Sequence, residues 1–370
     1  MDPVPGGDDL TELRLVQPAL MGRVTGPARL SLLATLDFEG ATISEGELTA
    51  GDWGEGFIDR RHPHTYVHEL LLTGDDVLGR LDGLTRISLT VGKGFAPFGT
   101  DDPMSRPVLR YPVNHHLAQV LERAVVIGAA NYGPVTLEGG LFNGDEPEQP
   151  DQWPMLERVG DSWSARVTGR PLRGLELQAS RAHLHSPENR EGAGPDQEKW
   201  SASGRWEGPL AGHPVYGLVE WAHTSEADGF FEFSSFLAEG AWTGGRHRLH
   251  YRFERTERAE EERVSRFRTV RPHHENSTLG TTRWTIHTAG WSAVVLDRSK
   301  FAVAPLVEIS YGRVAEVGGG LFDVLQTYGQ DDFWSWTLGL RLEYGGGPHR
   351  MGRYGAALEG ETPHRHGGEP

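Results

Sequence analysis

The feature that constrains this chain most is a strict two-residue alternation of apolar and polar side chains near its C-terminus. In the segment DDFWSWTLGLRLEY, which ends at Tyr344, every second residue from Trp334 onward is large and apolar. That row consists of Trp334, Trp336, Leu338, Leu340, Leu342 and Tyr344. Because successive side chains of a β-strand point to opposite faces, the pattern predicts a strand with one fully apolar face. Aromatic residues bracket an aliphatic centre, as on strands that face lipid.

The opposite face of the same segment is polar, and a second segment repeats this division with charged groups. The polar row of the first segment includes Arg341 and Glu343. In RHRLHYRFERTE, the apolar row is Leu249, Tyr251 and Phe253, and the other row is Arg248, His250, Arg252 and Glu254. A water-filled lumen accepts such a row of ionisable groups, whereas a packed soluble core does not accept them unpaired. The two segments therefore predict a lipid-facing side and a pore-lining side.

Weaker alternation over much of the chain indicates many more strands. Candidates are TRISLTVG, LELQAS and ARLSLLATLDFEG, with residues 65–73, 124–132, 135–143, 162–169, 200–207, 215–224, 230–241, 283–295 and 305–317. Short turn signals such as NYGP alternate with longer polar loops such as SPENREGAGPDQ. The pattern predicts an all-β, transmembrane, antiparallel up-and-down β-barrel of about 16 strands, within a range of roughly 14–18.

Composition removes several classes of protein. The chain has 370 residues, a formal net charge of −16 and no cysteine. It also has no run of about 18 apolar residues, so no membrane-spanning helix is expected. A disulfide-stapled domain and a nucleic-acid-binding protein are not expected either. The chain contains no nucleophile elbow, phosphate loop or dinucleotide fingerprint, so neither an enzyme nor a cofactor is expected.

Three regions are expected along the chain. Residues 1–27 form a partly disordered N-terminal extension, 28–345 form the barrel, and 346–370 form a disordered C-terminal tail. The N-terminus MDPVPGGDDL has neither the basic nor the apolar region of an export signal, so an exported form is expected to be a mature or truncated chain. Apolar residues at helical spacing in Pro112–Val126 predict a short helix or an inward loop near 99–123.

Two stretches carry a family resemblance. VGKGFAPFGTDD contains Gly92, Lys93, Phe95, Pro97, Phe98 and Gly99. LERAVVIGAANYGPVTLEGGLFNGDEPE contains Glu122, Arg123, Gly128, Gly133, Leu141, Phe142, Asn143 and Gly144. In order and spacing these residues resemble the phosphate-selective porin O/P family of Gram-negative bacteria. In that family a strand ends in the Pro-Phe-Gly element, a loop follows, and a Glu-Arg pair opens the next strand.

The resemblance implies a porin of the cell outer membrane in which the loop after Gly99 folds into the pore. The pore-lining or constriction residues expected there are Arg106, Arg110, His115, His116, Glu122 and Arg123. Outer-membrane lipid and lipopolysaccharide, small hydrophilic solutes or ions, and a homotrimer are the implied partners. Phosphate selectivity is not expected, because lysine is scarce and the charge balance is acidic. Family barrels end at a C-terminal aromatic residue, whereas this chain continues past Tyr344.

Histidine pairs and carboxylate pairs offer other chemistry. His62 with His64, or His183 with His185, would share a strand face and chelate a metal, but no third and fourth ligand stands at recognisable spacing. Solvated loop and lumen histidines are therefore expected, and no metal site. Acid pairs such as Glu220 and Glu308 arise by number alone in a chain with 52 acidic residues.

Two alternatives to a passive channel stay open. A soluble all-β ligand-binding or carbohydrate-active protein fits the acidic charge and the N-terminus, and alternation also occurs in soluble all-β folds. A structural barrel plugged by residues 99–123 would require detergent yet would conduct no ions.

Overall fold

A computed structural model describes residues 11, 13, 15–16, 18–38, 64–76, 85–113, 115–147, 150–265, 268–269, 278–298, 300–345 and 350–358. Most of the described chain is β-strand, and its α-helices are α1 (His115–Ala118) and α2 (Val324–Tyr328). In these ranges no helix has the length and apolar character needed to cross a membrane. The all-β prediction is confirmed.

The described strands, in chain order, are β1 (Ala19–Thr25), β2 (Leu30–Asp37), β3 (Val67–Asp75), β4 (Thr85–Gly94), β5 (Arg123–Tyr132), β6 (Val135–Phe142), β7 (Ser162–Leu172), β8 (Leu175–Leu184), β9 (Gln197–Leu210), β10 (His213–Glu226), β11 (Phe231–Gly244), β12 (His247–Glu261), β13 (Arg263–Ser265), β14 (Arg268–Thr269), β15 (Thr278–Ala293), β16 (Leu296–Arg298), β17 (Phe301–Val317) and β18 (Asp332–Tyr344).

Sixteen of these strands form one antiparallel sheet with up-and-down order, as the sequence predicts. The remaining pair, β13 and β14, is separate. β16 continues the line of β15 after a break at Val294 and Val295, so both pair with β17. Among the described residues β1 and β18 are the two edges of the sheet, with no ladder between them.

Short and long connections alternate along the sheet. β5 and β6 are joined by Gly133 and Pro134, and β9 and β10 by Ala211 and Gly212. The connection from β4 to β5 covers residues 95–122, and that from β6 to β7 covers 143–161. Because consecutive strands are antiparallel, the tight turns lie at one end of the sheet and the long connections at the other. This is the asymmetry that the turn signals predict.

The sheet is curled around the residues that follow β4. Arg252 Nη1 on β12 donates a 2.6 Å hydrogen bond to the carbonyl oxygen of Arg110. The hydroxyl of the next residue, Tyr111, lies 3.4 Å from Nδ1 of His64, just before β3. β3 and β12 are nine positions apart in the sheet order, which is about 40 Å in a flat sheet. Two adjacent residues reach both strands only because the sheet bends into a cylinder.

Residues 95–113 and 115–122, here called the inward segment, occupy the interior of this cylinder. They contain a 3-10 turn at Pro103–Ser105 and the single helical turn α1. The helix is shorter than the spacing in Pro112–Val126 predicts, and Ala124 already belongs to β5. Val120 and Leu121 pack with Phe95 and Phe98 in a buried apolar cluster. This packing buries the two side chains without a longer helix.

Both ends of the predicted barrel differ from the expected boundaries. β1 lies inside residues 1–27, which the sequence assigns to an extension. At the other end, residues 350–358, here called the tail segment, are folded where a disordered tail is expected. They end in a buried 3-10 turn, Gly355–Leu358. The tail segment is folded because the buried side chains of Arg353 and Tyr354 bind acidic residues on the inner faces of the strands.

Candidate functional site

The site is the polar interior of the cylinder, and it is defined by how the strands divide their side chains. On β18, Trp336 is 65% exposed and Leu338 is 85% exposed, whereas the alternate residue Ser335 is buried. On β12, Leu249 and Tyr251 are exposed, whereas His250, Arg252 and Glu254 are buried. The outer row also contains the remaining residues predicted to face lipid, which are Trp334, Leu340, Leu342, Tyr344 and the half-buried Phe253. The apolar rows thus lie outside and the polar rows inside.

A cluster of ionised side chains forms where the inward segment meets β10 to β12. Glu239 on β11 accepts a 2.6 Å hydrogen bond from Arg252 Nε and another of 2.6 Å from the Tyr216 hydroxyl. Arg106, from the inward segment, places Nη2 3.3 Å from Glu220 Oε2 and Nε 3.9 Å from Glu239 Oε1. Burial alone would lower the pKa of Arg106, but these two carboxylates raise it above its usual value. Arg106 therefore keeps its charge inside the cylinder.

Other carboxylates of the inner rows hold the backbone of the inward segment. Glu308 Oε1 accepts a 2.7 Å hydrogen bond from the Leu109 amide, and His250 Nε2 lies 2.8 Å from the same oxygen. Glu254 Oε2 accepts a 2.8 Å hydrogen bond from the Val113 amide. Because an irregular segment cannot satisfy its own amides, these carboxylates on β12 and β17 take that role.

The predicted pair Glu122 and Arg123 closes the inward segment. Glu122 Oε1 accepts hydrogen bonds from the Thr65 amide at 2.8 Å and lies 2.7 Å from His68 Nδ1. Burial alone would raise the pKa of Glu122, but the bond to His68 lowers it to about 2. Arg123 Nη2 donates a 2.6 Å hydrogen bond to Glu146. These contacts anchor the end of the inward segment to the start of β3 and to the connection after β6.

The other predicted pore-lining residues lie on the inner side as well. His115 is buried, with Nε2 3.6 Å from Asp102 Oδ2, and His116 Nδ1 lies 3.6 Å from Glu146 Oε2. Arg110 is buried in the inward segment. Arg248, Arg341 and Glu343 are half-buried on the inner rows. Whether any of these side chains contacts a passing solute remains a prediction.

Asp101 connects the inward segment to the tail segment, a link that the sequence did not reveal. It forms ion pairs with Arg205 on β9 and with Arg350, whose Nη2 is 2.6 Å away. Burial alone would raise the pKa of Asp101, but the two guanidinium groups hold it well below its usual range. Arg350 also lies 2.8 Å from Glu176 Oε1, which binds Arg353 at the same distance.

The tail segment makes further hydrogen bonds with β3, with β7 and with the start of the inward segment. The Tyr354 hydroxyl donates to Glu69 Oε1 at 2.8 Å and accepts from the Phe95 amide at 3.0 Å. Arg166 on β7 donates to the Gly352 carbonyl at 2.6 Å and forms a two-bond pair with Glu138. The tail segment is therefore bound on several sides and takes up part of the interior.

Gly99, from the Pro-Phe-Gly element, allows the inward turn. Its φ is +69°, in the left-handed region that favours glycine, and a Cβ there would overlap the carbonyl oxygen of Ala118. Its own carbonyl accepts hydrogen bonds from Arg166 Nη1 at 3.2 Å and from Gln178. The motif that carries the family resemblance therefore fixes where the chain enters the cylinder.

Several interior residues were missed at the level of sequence. Arg166, Arg205, Glu138 and Glu176 each occupy a polar position of an alternating strand, so periodicity offered a signal for them. By contrast, Arg350 and Arg353 stand in a glycine-rich stretch without periodicity.

Two pairs considered for other chemistry turn out to be occupied. His183 Nδ1 lies 2.8 Å from Glu198 Oε1, and His185 Nδ1 lies 2.7 Å from Asp196 Oδ1. The acids Glu220 and Glu308 bind different partners. His62 lies outside the described residues.

Comparison with known proteins finds similarity only at the level of solved structures. No protein-family model matches the chain, and no curated protein matches it. An anion-selective porin from Comamonas acidovorans is 9% identical, with 89% of this chain and 97% of that chain covered and a TM-score of 0.42. Outer-membrane expressed OmpT of Vibrio cholerae is 11% identical, with 87% of each chain covered and a TM-score of 0.44. A bacterial polysaccharide outer membrane secretin is 12% identical, with 78% and 82% covered and a TM-score of 0.40.

Proposed function

We propose that this protein is a porin-like channel of the outer membrane, through which small hydrophilic solutes or ions diffuse passively. The observation that carries the proposal is the inverted polarity of the sheet. Large apolar side chains such as Trp336, Leu338 and Leu249 are exposed outside, and charged side chains such as Arg252 and Glu254 are buried inside. A soluble protein has the opposite arrangement, because water favours polar surfaces and apolar cores. A barrel in lipid requires apolar side chains outside and polar side chains inside, as in this sheet.

The interior fits a restricted pore that passes both signs of ion. Arg106 and Asp101 of the inward segment form ion pairs with Glu220 and Arg205 of the wall, so charges of both signs lie together in the interior. Since selectivity depends on an excess of one charge at the constriction, paired charges of both signs favour weak selectivity between cations and anions. Membership of the phosphate-selective O/P family and the homotrimer that it implies stay predictions, as does the lack of enzymatic activity.

A plugged structural barrel is the second candidate. It is supported by the depth at which the interior is filled: Asp101, Asp102 and Tyr354 are all nearly or fully buried. Strand numbers near sixteen leave room for an aqueous channel, but here the inward segment and the tail segment both occupy that room. The two candidates differ in whether ions pass.

Reconstitution in a planar bilayer separates them. We expect purified protein to insert from detergent and to produce discrete conductance steps, smaller than those of an unobstructed barrel with a similar strand number. The matched control is the same detergent without protein. Insertion without conductance steps would contradict the channel and support the plugged structural barrel. A compact monomer that stays in solution without detergent would contradict both and would favour a soluble all-β protein.

A further inference from the structure

A β-bulge turns one histidine toward the interior, against the alternation of its strand. Thr35 on β2 pairs with Glu69, whereas the next residue, Leu36, pairs with Val67, so His68 is the additional residue of β3. Both His68 and Glu69 are completely buried, although strict alternation would expose one of them. Bulges often re-aim a side chain next to a functional site. Here the bulge brings His68 beside the end of β2.

Three potential ligands of a metal ion meet at this point. Asp37 ends β2, His64 precedes β3, and His68 is the bulged residue; one donor atom from each lies within 4.8 Å of the other two. All three residues are buried. Asp37 Oδ2 and His64 Nδ1 are 3.3 Å apart, which matches the separation of about 3.3 Å between ligands around a tetrahedral zinc ion. Two imidazoles and one carboxylate form a common zinc ligand set.

The second nitrogen of His68 supports the same conclusion. Nδ1 of His68 lies 2.7 Å from Glu122 Oε1, which fixes the ring orientation. Nε2 is fully buried and has no hydrogen-bond partner among the described residues. A histidine that binds a metal characteristically donates its other ring N–H to a carboxylate, and that carboxylate also makes the ring a better ligand. The arrangement of Glu122 and His68 has this form.

The charges around the histidines favour a cation. A carboxylate oxygen of Asp37 lies 3.3 Å from His64 Nδ1, one of Glu122 lies 2.7 Å from His68 Nδ1, and Asp102 interacts electrostatically with both rings. Lys93 brings one ammonium group, which hydrogen-bonds to Thr65 Oγ1. The carboxylates outnumber this ammonium group, and a divalent cation would balance the difference. His115 adds a further imidazole beside this group, with its ring centroid 5.4 Å from that of His64.

We propose that Asp37, His64 and His68 bind one divalent transition-metal ion of the zinc type. The sequence predicted no metal site, because His68 becomes a ligand only through the bulge and Asp37 comes from another strand. The site lies at the end of the cylinder with the long connections, next to the point where the inward segment returns to the wall. Its metal would join the end of β2 to the start of β3.

Cobalt binding to the full-length protein in detergent tests this assignment. After treatment with a chelator, Co²⁺ is titrated and its visible d–d absorption is recorded. We expect one equivalent to give the intense bands of a four-coordinate ion, and we expect Zn²⁺ to displace it. Substituting His68→Gln is expected to weaken binding at least about 100-fold. Substituting Glu122→Gln, which removes the negative charge beside His68 and keeps one acceptor oxygen, is expected to weaken metal binding about 10- to 100-fold.

Matched controls separate this site from other histidines. The double substitutions His183→Gln/His185→Gln and His364→Gln/His366→Gln are expected to leave the bands and the affinity unchanged. Far-UV circular dichroism reports whether each variant is folded, and Asp37→Asn replaces His68→Gln if the latter does not fold. The assignment is wrong if the wild-type protein shows no intense bands, or if the bands survive in folded His68→Gln and Asp37→Asn. Neither result depends on whether the protein conducts ions.

Discussion

A chain that ends at Gly347 is expected to conduct ions at least about twice as well as the full chain in a planar bilayer. The truncation removes the tail segment, which places Arg350, Arg353 and Tyr354 in the interior. Asp101 keeps its partner Arg205 when Arg350 is gone, so the inward segment stays anchored. The cross-section available to ions therefore increases while the wall remains. Single-channel conductance in symmetrical salt measures the change.

Point variants control for an effect of the truncation on membrane insertion. The double substitution Arg350→Ala/Arg353→Ala removes the guanidinium groups that bind Asp101 and Glu176. Like the truncation, it is expected to raise conductance. Arg181→Ala, which removes an exposed guanidinium group of β8 that pairs with Glu198, is expected to change conductance little. If the truncated chain inserts and conducts no better than the full chain, the tail segment does not obstruct the pore.

Replacing Leu338 with arginine is expected to lower the free energy of unfolding from lipid bilayers by about 2–4 kcal/mol. Leu338 is 85% exposed near the middle of β18, so a lipid-facing outer row would put it in the hydrocarbon of the membrane. A guanidinium group there must leave water for lipid. Denaturant titration of protein in liposomes, followed by tryptophan fluorescence, measures the loss.

The neighbouring position provides the control for this substitution. Thr337 is on the inner row of the same strand and is half-buried, so Thr337→Arg is expected to cost much less than Leu338→Arg. Equal losses for the two variants would mean that Leu338 does not face lipid.

The wall of the cylinder could be predicted from sequence because each strand shows its two faces in a local pattern. The rows of β12 and β18 follow the two-residue period without interruption, and the structure exposes and buries them accordingly. Residues such as Arg252 and Glu254 stand on the polar row of this pattern, and the structure buries both side chains. Their partners were not predictable, because Arg110 and Val113 reach them from a segment without periodicity.

The contents of the cylinder depend on contacts between distant parts of the chain. The Pro-Phe-Gly element indicated an inward loop, and the structure places the inward segment inside. The tail segment gave no such signal, since RMGRY has no strand or helix period, and its position is determined by pairing with Asp101, Glu176 and Glu69. The bulge at His68 could not be predicted either, because the regular two-residue period of β3 predicts that the His68 ring points outward.

Nitroxide accessibility along β18 tests the central claim most directly. The chain contains no cysteine, so single cysteines introduced by Leu338→Cys, Leu340→Cys, Thr337→Cys and Arg341→Cys can each be spin-labelled in lipid bilayers. Labels at 338 and 340 are expected to collide readily with oxygen dissolved in the lipid, and labels at 337 and 341 are expected to be shielded from it. Equal oxygen accessibility at all four positions, or preferential access of a polar nickel reagent to 338 and 340, would contradict a lipid-facing outer row.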